Sequence, residues 1–307
     1  MLRFLVYNNQ KGRLVKTNDF PKGGWIFAYD LTNVEIDKLI RLGFEPSIIE
    51  DAMDYFEVPR FENVNGIRYL LTRYPIDSKA GETPTAPLLI ALSDDYILTI
   101  SHRKPEFLDD FAHDRRQLRP EHKMAALLTI IEVIIRQYEK RLLEIRRLLA
   151  RYLSNVKNVT EEDLQQLVAL EARLLDYDNA LVPTAEALGM MLQNEVKRGL
   201  RKEEIETLED LTQDLDQLAR NVEYVLQTVQ SVRSTHEALV GHRLNTTMKT
   251  LTAFTIILTI PTIVSGVFGM NTWLPLPPNY LSFVWAIFVI ILATYAAVRW
   301  LINKGWL

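Results

Sequence analysis

Asn245, Met248, Thr252, Thr255, Thr259, Thr262, Gly266 and Gly269 recur three or four residues apart, the spacing that puts side chains on one face of a helix. Most of them lie in a stretch, Thr250 to Val298, that contains no Asp, Glu, Lys or Arg. Hydroxyls facing lipid gain nothing there, whereas hydroxyls facing a water-filled axis replace part of the hydration of a passing ion. Two other roles stand beside the pore: threonines bonding back to their own helix, and small residues letting helices pack closely. Two acidic groups lie far upstream, Glu50-Asp51 and Glu209-Asp210 with Asp214. By themselves they read as solvated faces.

The elements that carry these residues follow from the hydrophobic pattern. Thr250–Met270 is 21 residues long and Leu281–Ile302 is similar, broken only by Arg299. At about 1.5 Å per residue each spans the roughly 30 Å of a bilayer's hydrocarbon. Between them the proline-rich Asn271–Tyr280 forces a tight reversal, so both ends of the hairpin face one side. Arg243 and Lys249 flank one end and Arg299 and Lys304 the other, which places that side in the cytoplasm. Two membrane helices cannot enclose a water path, so a pore requires several subunits around an axis. Pro261 lies inside the first span and frees the carbonyl of Ile257.

Upstream, Lys202 opens a long helix in which Leu208, Leu211, Leu215, Leu218, Val222, Val225, Val229 and Val232 alternate at three and four. This heptad pattern fits a symmetric bundle or packing on the chain's own preceding helices. Those helices are expected over Glu121–Leu153 and Glu161–Gly199, the second capped by Thr160 with Asp163. Residues 1–104 read as an α/β domain. Its strand candidates are Arg3–Tyr7, Arg13–Thr17, Trp25–Tyr29, Ile67–Tyr74, Leu88–Leu92 and Ile97–Ser101, with turns at Asn65-Gly66 and Asp94-Asp95. Thr32 with Glu35 opens one short helix, and Pro46 a second, Ser47–Glu57. The expected organisation is a cytoplasmic α/β domain (1–104), a helical region (105–200), a stalk helix (201–249), a pore-lining span (250–270), an outer loop (271–280), a second span (281–302) and a basic tail (303–307). In fold class this is an α+β cytoplasmic domain followed by long helices and a two-span transmembrane hairpin.

Gly269-Met270-Asn271 closes the first span, after Asn245-Thr-Thr-Met248-Lys249-Thr-Leu251-Thr252, Pro261-Thr262 and Gly266. A short loop, one more span and the basic end Asn303–Leu307 follow. With Ile48-Ile-Glu50-Asp51 and Pro59-Arg60-Phe61-Glu62 upstream, the chain resembles the CorA family of magnesium transporters. The resemblance implies a homopentamer with a cytoplasmic funnel, the first span lining the pore and the second outside it. It implies Mg²⁺ as both transported and regulatory ion. Gly269, Met270 and Asn271 then form the outer selectivity site, where a ring of Asn271 carboxamide oxygens accepts hydrogen bonds from the ion's hydration waters without stripping them. The alternative for Asn271 is a helix C-cap. Met248 and Leu251 match apolar positions that narrow the cytoplasmic end of the family's pore, or are plain packing. Glu50, Asp51 and Asp210 match positions where relatives bind Mg²⁺ between neighbouring cytoplasmic domains. One departure stands out: Leu276 takes the loop position where relatives carry an acidic residue.

Other chemistries find no support. The chain has no Cys, which excludes thiolate sites and disulfides. His102, His113, His122, His236 and His242 form no close pair on one helix face. There is no phosphate-binding Gly-rich motif, no nucleophile triad and no basic excess, the net charge being -4; no ATP, nucleic acid or organic cofactor is expected, and no enzyme activity. The expected partners are membrane lipid and further copies of the chain, in a cell (inner) membrane with both termini cytoplasmic. The competing readings are a Zn²⁺, Co²⁺ or Ni²⁺ transporter of the same superfamily, with or without proton coupling, and a membrane-anchored sensor or scaffold.

Overall fold

The computed structural model describes residues 1–8, 13–17, 22–77, 83–112, 118–154, 159–270 and 280–307. It contains two units, Met1–Val232 and Arg233–Leu307.

In the first unit, strands β1 (Leu2–Asn8), β2 (Arg13–Thr17), β3 (Gly24–Tyr29), β4 (Arg60–Val64), β5 (Ile67–Pro75), β6 (Thr85–Leu92) and β7 (Tyr96–Ser101) form one sheet in the order β2-β1-β3-β7-β6-β5-β4. Among the described strands, β3 and β7 alone pair in parallel. Side chains alternate between two cores, as the period of a strand demands. Trp25, Phe27, Leu70, Leu88, Ile90 and Ile97 enter one core; Ile26, Ala28, Leu71, Leu89, Leu98 and Ile100 enter the other. Burial on both faces explains why the central strands read as nearly unbroken apolar runs.

Helices α1 (Asn33–Arg41) and α2 (Pro46–Asp51) supply the second core. The Thr32 backbone N–H donates to the Glu35 carboxylate at 3.0 Å, as the capping-box pattern requires. On the other face lie α3 (Glu106–Ala112), α4 (Lys123–Ser154), α5 (Glu161–Arg198) and the first part of α6 (Lys202–Phe268). Gly199 ends α5 in the left-handed conformation, with its N–H on the Val196 carbonyl and that of Leu200 on Glu195, a Schellman cap.

All eight heptad residues from Leu208 to Val232 are buried. They share one core with Leu142, Ile145 and Leu149 of α4 and Leu167, Leu174 and Leu181 of α5. Of the two partners open to this stripe, the chain's own helices therefore bury it.

Two elements differ from expectation. The second short helix ends at Asp51 rather than Glu57. The buried Arg73 is the physical reason: its guanidinium donates to the carbonyls of Tyr55 and Glu57 at 3.0 and 2.8 Å, holding that segment as a loop. It also donates to the carbonyl and hydroxyl of Thr85. Strand β4 is additional. It is a sheet-edge strand with Arg60 and Glu62 in its sequence, so it lacks the apolar signature of its neighbours; edge strands are commonly charged in this way.

In the second unit, α6 runs unbroken through Pro261, and α7 spans Tyr280–Asn303. Both helices are long and apolar enough to cross a membrane.

Candidate functional site: a polar helix face and an arginine clamp

Along α6 in the second unit, coverage falls on one face. Ala253 is fully buried, and Ile257, Ile260 and Val264 are half-buried. On α7 the covered positions are Ser282, Ala286, Ile290, Ala293, Thr294, Ala297, Val298 and the buried Leu301. Ser282, Ala286, Ala293, Thr294 and Ala297 are small, as close membrane-helix packing favours. The rest of α7 exposes Leu281, Phe283, Trp285, Phe288, Ile291 and Leu292.

The predicted pore residues occupy the other side of α6. Asn245, Met248, Thr252, Thr255, Thr259, Thr262 and Gly266 are all exposed, and Leu251 borders them. At about 100° per residue this face lies roughly opposite the covered one. The hydroxyls of Thr252, Thr255, Thr259 and Thr262 each donate to the carbonyl four residues back, at 2.7 to 3.0 Å. Back-bonding is thus present, and it does not distinguish these threonines, because Thr246, Thr247 and Thr250 do the same. It does fix the polarity of the face. Each hydroxyl spends its one proton inward and keeps its lone pairs as acceptors, the polarity that suits water bound to a cation.

The helix ends just past this stripe. Gly269 N–H bonds the Ser265 carbonyl at 2.9 Å and Met270 N–H the Val267 carbonyl at 3.3 Å. Gly269 and Met270 are exposed. A Cβ at Gly269 would lie 3.2 Å from the Ser265 oxygen, a tight contact that favours glycine. Asn271 and Leu276 lie outside the described residues.

The upstream acidic residues fall in the first unit. Glu50 and Asp51 close α2, and Asp210 is exposed on α6. Among the described residues no three acidic or histidine side chains converge as a metal cage. What the structure adds is Arg60. Its guanidinium pairs with Asp51 and Glu62, both at 2.5 Å, and with Glu57. Burial opposes its charge, but the bond to Glu62, the charge of Glu57 and the bond to Asp51 outweigh this and hold its pKa above the ordinary arginine value. Sequence reading placed Arg60 only in a motif; no spacing rule links it to a carboxylate nine residues back.

A seven-stranded mixed sheet and long helices followed by two apolar helices, one with a polar face, fit a two-span membrane protein. Residues 22–304 match the family described as "CorA-like Mg2+ transporter protein", and the chain belongs to that family. It is 25% identical over 300 residues to the cobalt/magnesium transport protein CorA of Methanocaldococcus jannaschii, covering 92% of this chain and 91% of the relative. The complete structure of the CorA magnesium transporter from that organism superposes with a TM-score of 0.83 at 20% identity, over 100% of this chain and 99% of that one. Full-length CmaX matches with a TM-score of 0.76 at 15% identity, over 97% of each chain.

Proposed function

We propose that this chain forms a homopentameric channel for divalent cations, chiefly Mg²⁺, driven inward by the membrane potential. The observation that carries this reading is the row of acceptor hydroxyls of Thr252, Thr255, Thr259 and Thr262 on α6, opposite its packed face and running toward Gly269 and Met270. Five such rows around an axis would enclose a path lined with oxygen lone pairs. The relatives named for cobalt and magnesium support the choice of ion over Zn²⁺, as does a polar lining whose side-chain groups are hydroxyl and carboxamide, without thiolate or imidazole. A divalent ion gains about 4.6 kcal/mol per 100 mV, so no further energy source is needed. Basic residues at both hairpin ends put those ends in the cytoplasm of a cell (inner) membrane.

At the outer mouth, Gly269, Met270 and Asn271 form the selectivity site. Leu276 leaves the loop without the acidic residue relatives carry. The C-terminal carbonyls of α6 compensate in part: they carry the negative end of the helix dipole, and they end at this turn. At the inner end, Asn245, Met248 and Leu251 form the constriction. Met248→Ala or Leu251→Gly should wet it and raise basal Mg²⁺ flux several-fold in reconstituted vesicles; unchanged flux in both would leave them as packing residues.

For regulation, Asp51 of one subunit and Asp210 of the next, supported by Glu50, hold a hydrated Mg²⁺. Their hard carboxylate oxygens fit this ion, and exposure of Glu50 and Asp210 leaves them accessible to a neighbouring subunit. When internal Mg²⁺ falls, the carboxylates repel and the ring loosens. The test of ion choice is uptake by vesicles loaded with a Mg²⁺ dye or a Zn²⁺ dye, with and without a pH gradient. Mg²⁺ entry independent of the gradient is expected; Zn²⁺ entry that requires it would overturn the reading.

A further inference from the structure

Asp51 is not an open ligand within its own protomer. Its Oδ2 already holds the Arg60 guanidinium, and Arg60 also holds Glu57 and Glu62. The backbones that carry the two other carboxylates are fixed independently of Asp51. The Glu57 backbone carbonyl is tied to the buried Arg73, and Glu62 sits in β4, in register with Tyr69 of β5. Arg60 can therefore release Asp51 and remain seated on two anions, losing one charge-assisted bond rather than its whole environment. The Asp51 and Arg60 side chains are 38% and 32% exposed, so an incoming hydrated ion can reach the pair.

We propose that Arg60 is a tethered counter-cation that competes with Mg²⁺ for Asp51 and so sets the Mg²⁺ concentration at which the regulatory site fills. This rests on the reading of Asp51 as a regulatory ligand. At low Mg²⁺ the guanidinium satisfies Asp51; at high Mg²⁺ the hydrated ion replaces it, and Arg60 stays on Glu57 and Glu62. The tether shifts the response to higher Mg²⁺ than bare carboxylates would give.

The test is protease protection of the full-length protein in detergent, measured against Mg²⁺ concentration, with a thermal melt of each variant without Mg²⁺ as the control for folding. Arg60→Gln should lower the half-protecting Mg²⁺ concentration about tenfold, the equivalent of one charge-assisted hydrogen bond. Arg60→Lys keeps the charge, but a single ammonium cannot span three carboxylates; it should lower the midpoint about threefold, and it decides the question if Arg60→Gln does not fold. Asp51→Asn should abolish protection. If Asp51→Asn abolishes protection while neither Arg60 variant lowers the midpoint, the counter-cation is refuted and Asp51 remains a ligand. If Asp51→Asn protects like the wild type, the regulatory reading fails and this inference fails with it.

Discussion

Asn271→Ala is expected to abolish Mg²⁺ uptake, by a hundredfold or more, while the purified protein keeps its oligomeric state and its thermal midpoint. The stripe proposed to line the path along α6 ends at Gly266 and Gly269, which offer no side-chain oxygen. Asn271 is the next polar side chain after Ser265 along the chain. Mg²⁺ sheds water reluctantly, so a ring of carboxamides that binds the hydrated ion lowers the entry barrier without trapping it. Carboxylates there would bind harder and release more slowly. Dye-reported uptake in vesicles checks this, and wild-type rates in the variant would remove Asn271 from the selectivity site.

The second large effect is on stability. Arg73→Met is expected to destabilise the Met1–Val232 unit by about 3 kcal/mol, since each buried acceptor left unmet costs about 1–3 kcal/mol. The Arg73 guanidinium donates to the carbonyls of Tyr55, Glu57 and Thr85 and to the Thr85 hydroxyl. Burial pushes its pKa down, and none of these four acceptors is a carboxylate. Arg73→Lys should recover only part of the loss, because an ammonium cannot reach all the acceptors at once. Urea unfolding of the full chain in detergent, followed by the fluorescence of Trp25 in a background where the four other tryptophans are replaced by Phe, reads the effect. A loss below about 1 kcal/mol would show that the loop does not depend on this residue.

The contrast between these residues shows how much the sequence discloses. The heptad stripe from Leu208 to Val232 is legible because burial at three-four spacing is a property of one helix. Its partner is not: the same pattern serves a symmetric bundle or the chain's own α4 and α5, and only packing decides. The strands of the sheet centre are legible as apolar runs, whereas β4 hides behind Arg60 and Glu62. The caps at Thr32 and Thr160 are read directly, because capping chemistry is local. The early end of α2 is not, because it is imposed by Arg73 from strand β5. The stripe of threonines was legible as a face; that it lies opposite the packed side of α6 required the structure. The Arg60 clamp joins α2, the following loop and β4, and no pattern along the chain announces it.

The most direct measurement is Mg²⁺ uptake by the purified chain in vesicles under an imposed potassium diffusion potential, with a Mg²⁺ dye inside and no nucleotide present. A channel of the kind proposed takes up Mg²⁺ without ATP, faster as the interior is made more negative, and reverses direction when the potential is reversed at equal Mg²⁺ on both sides. No Mg²⁺ movement at any potential, or movement indifferent to its sign, would contradict the account.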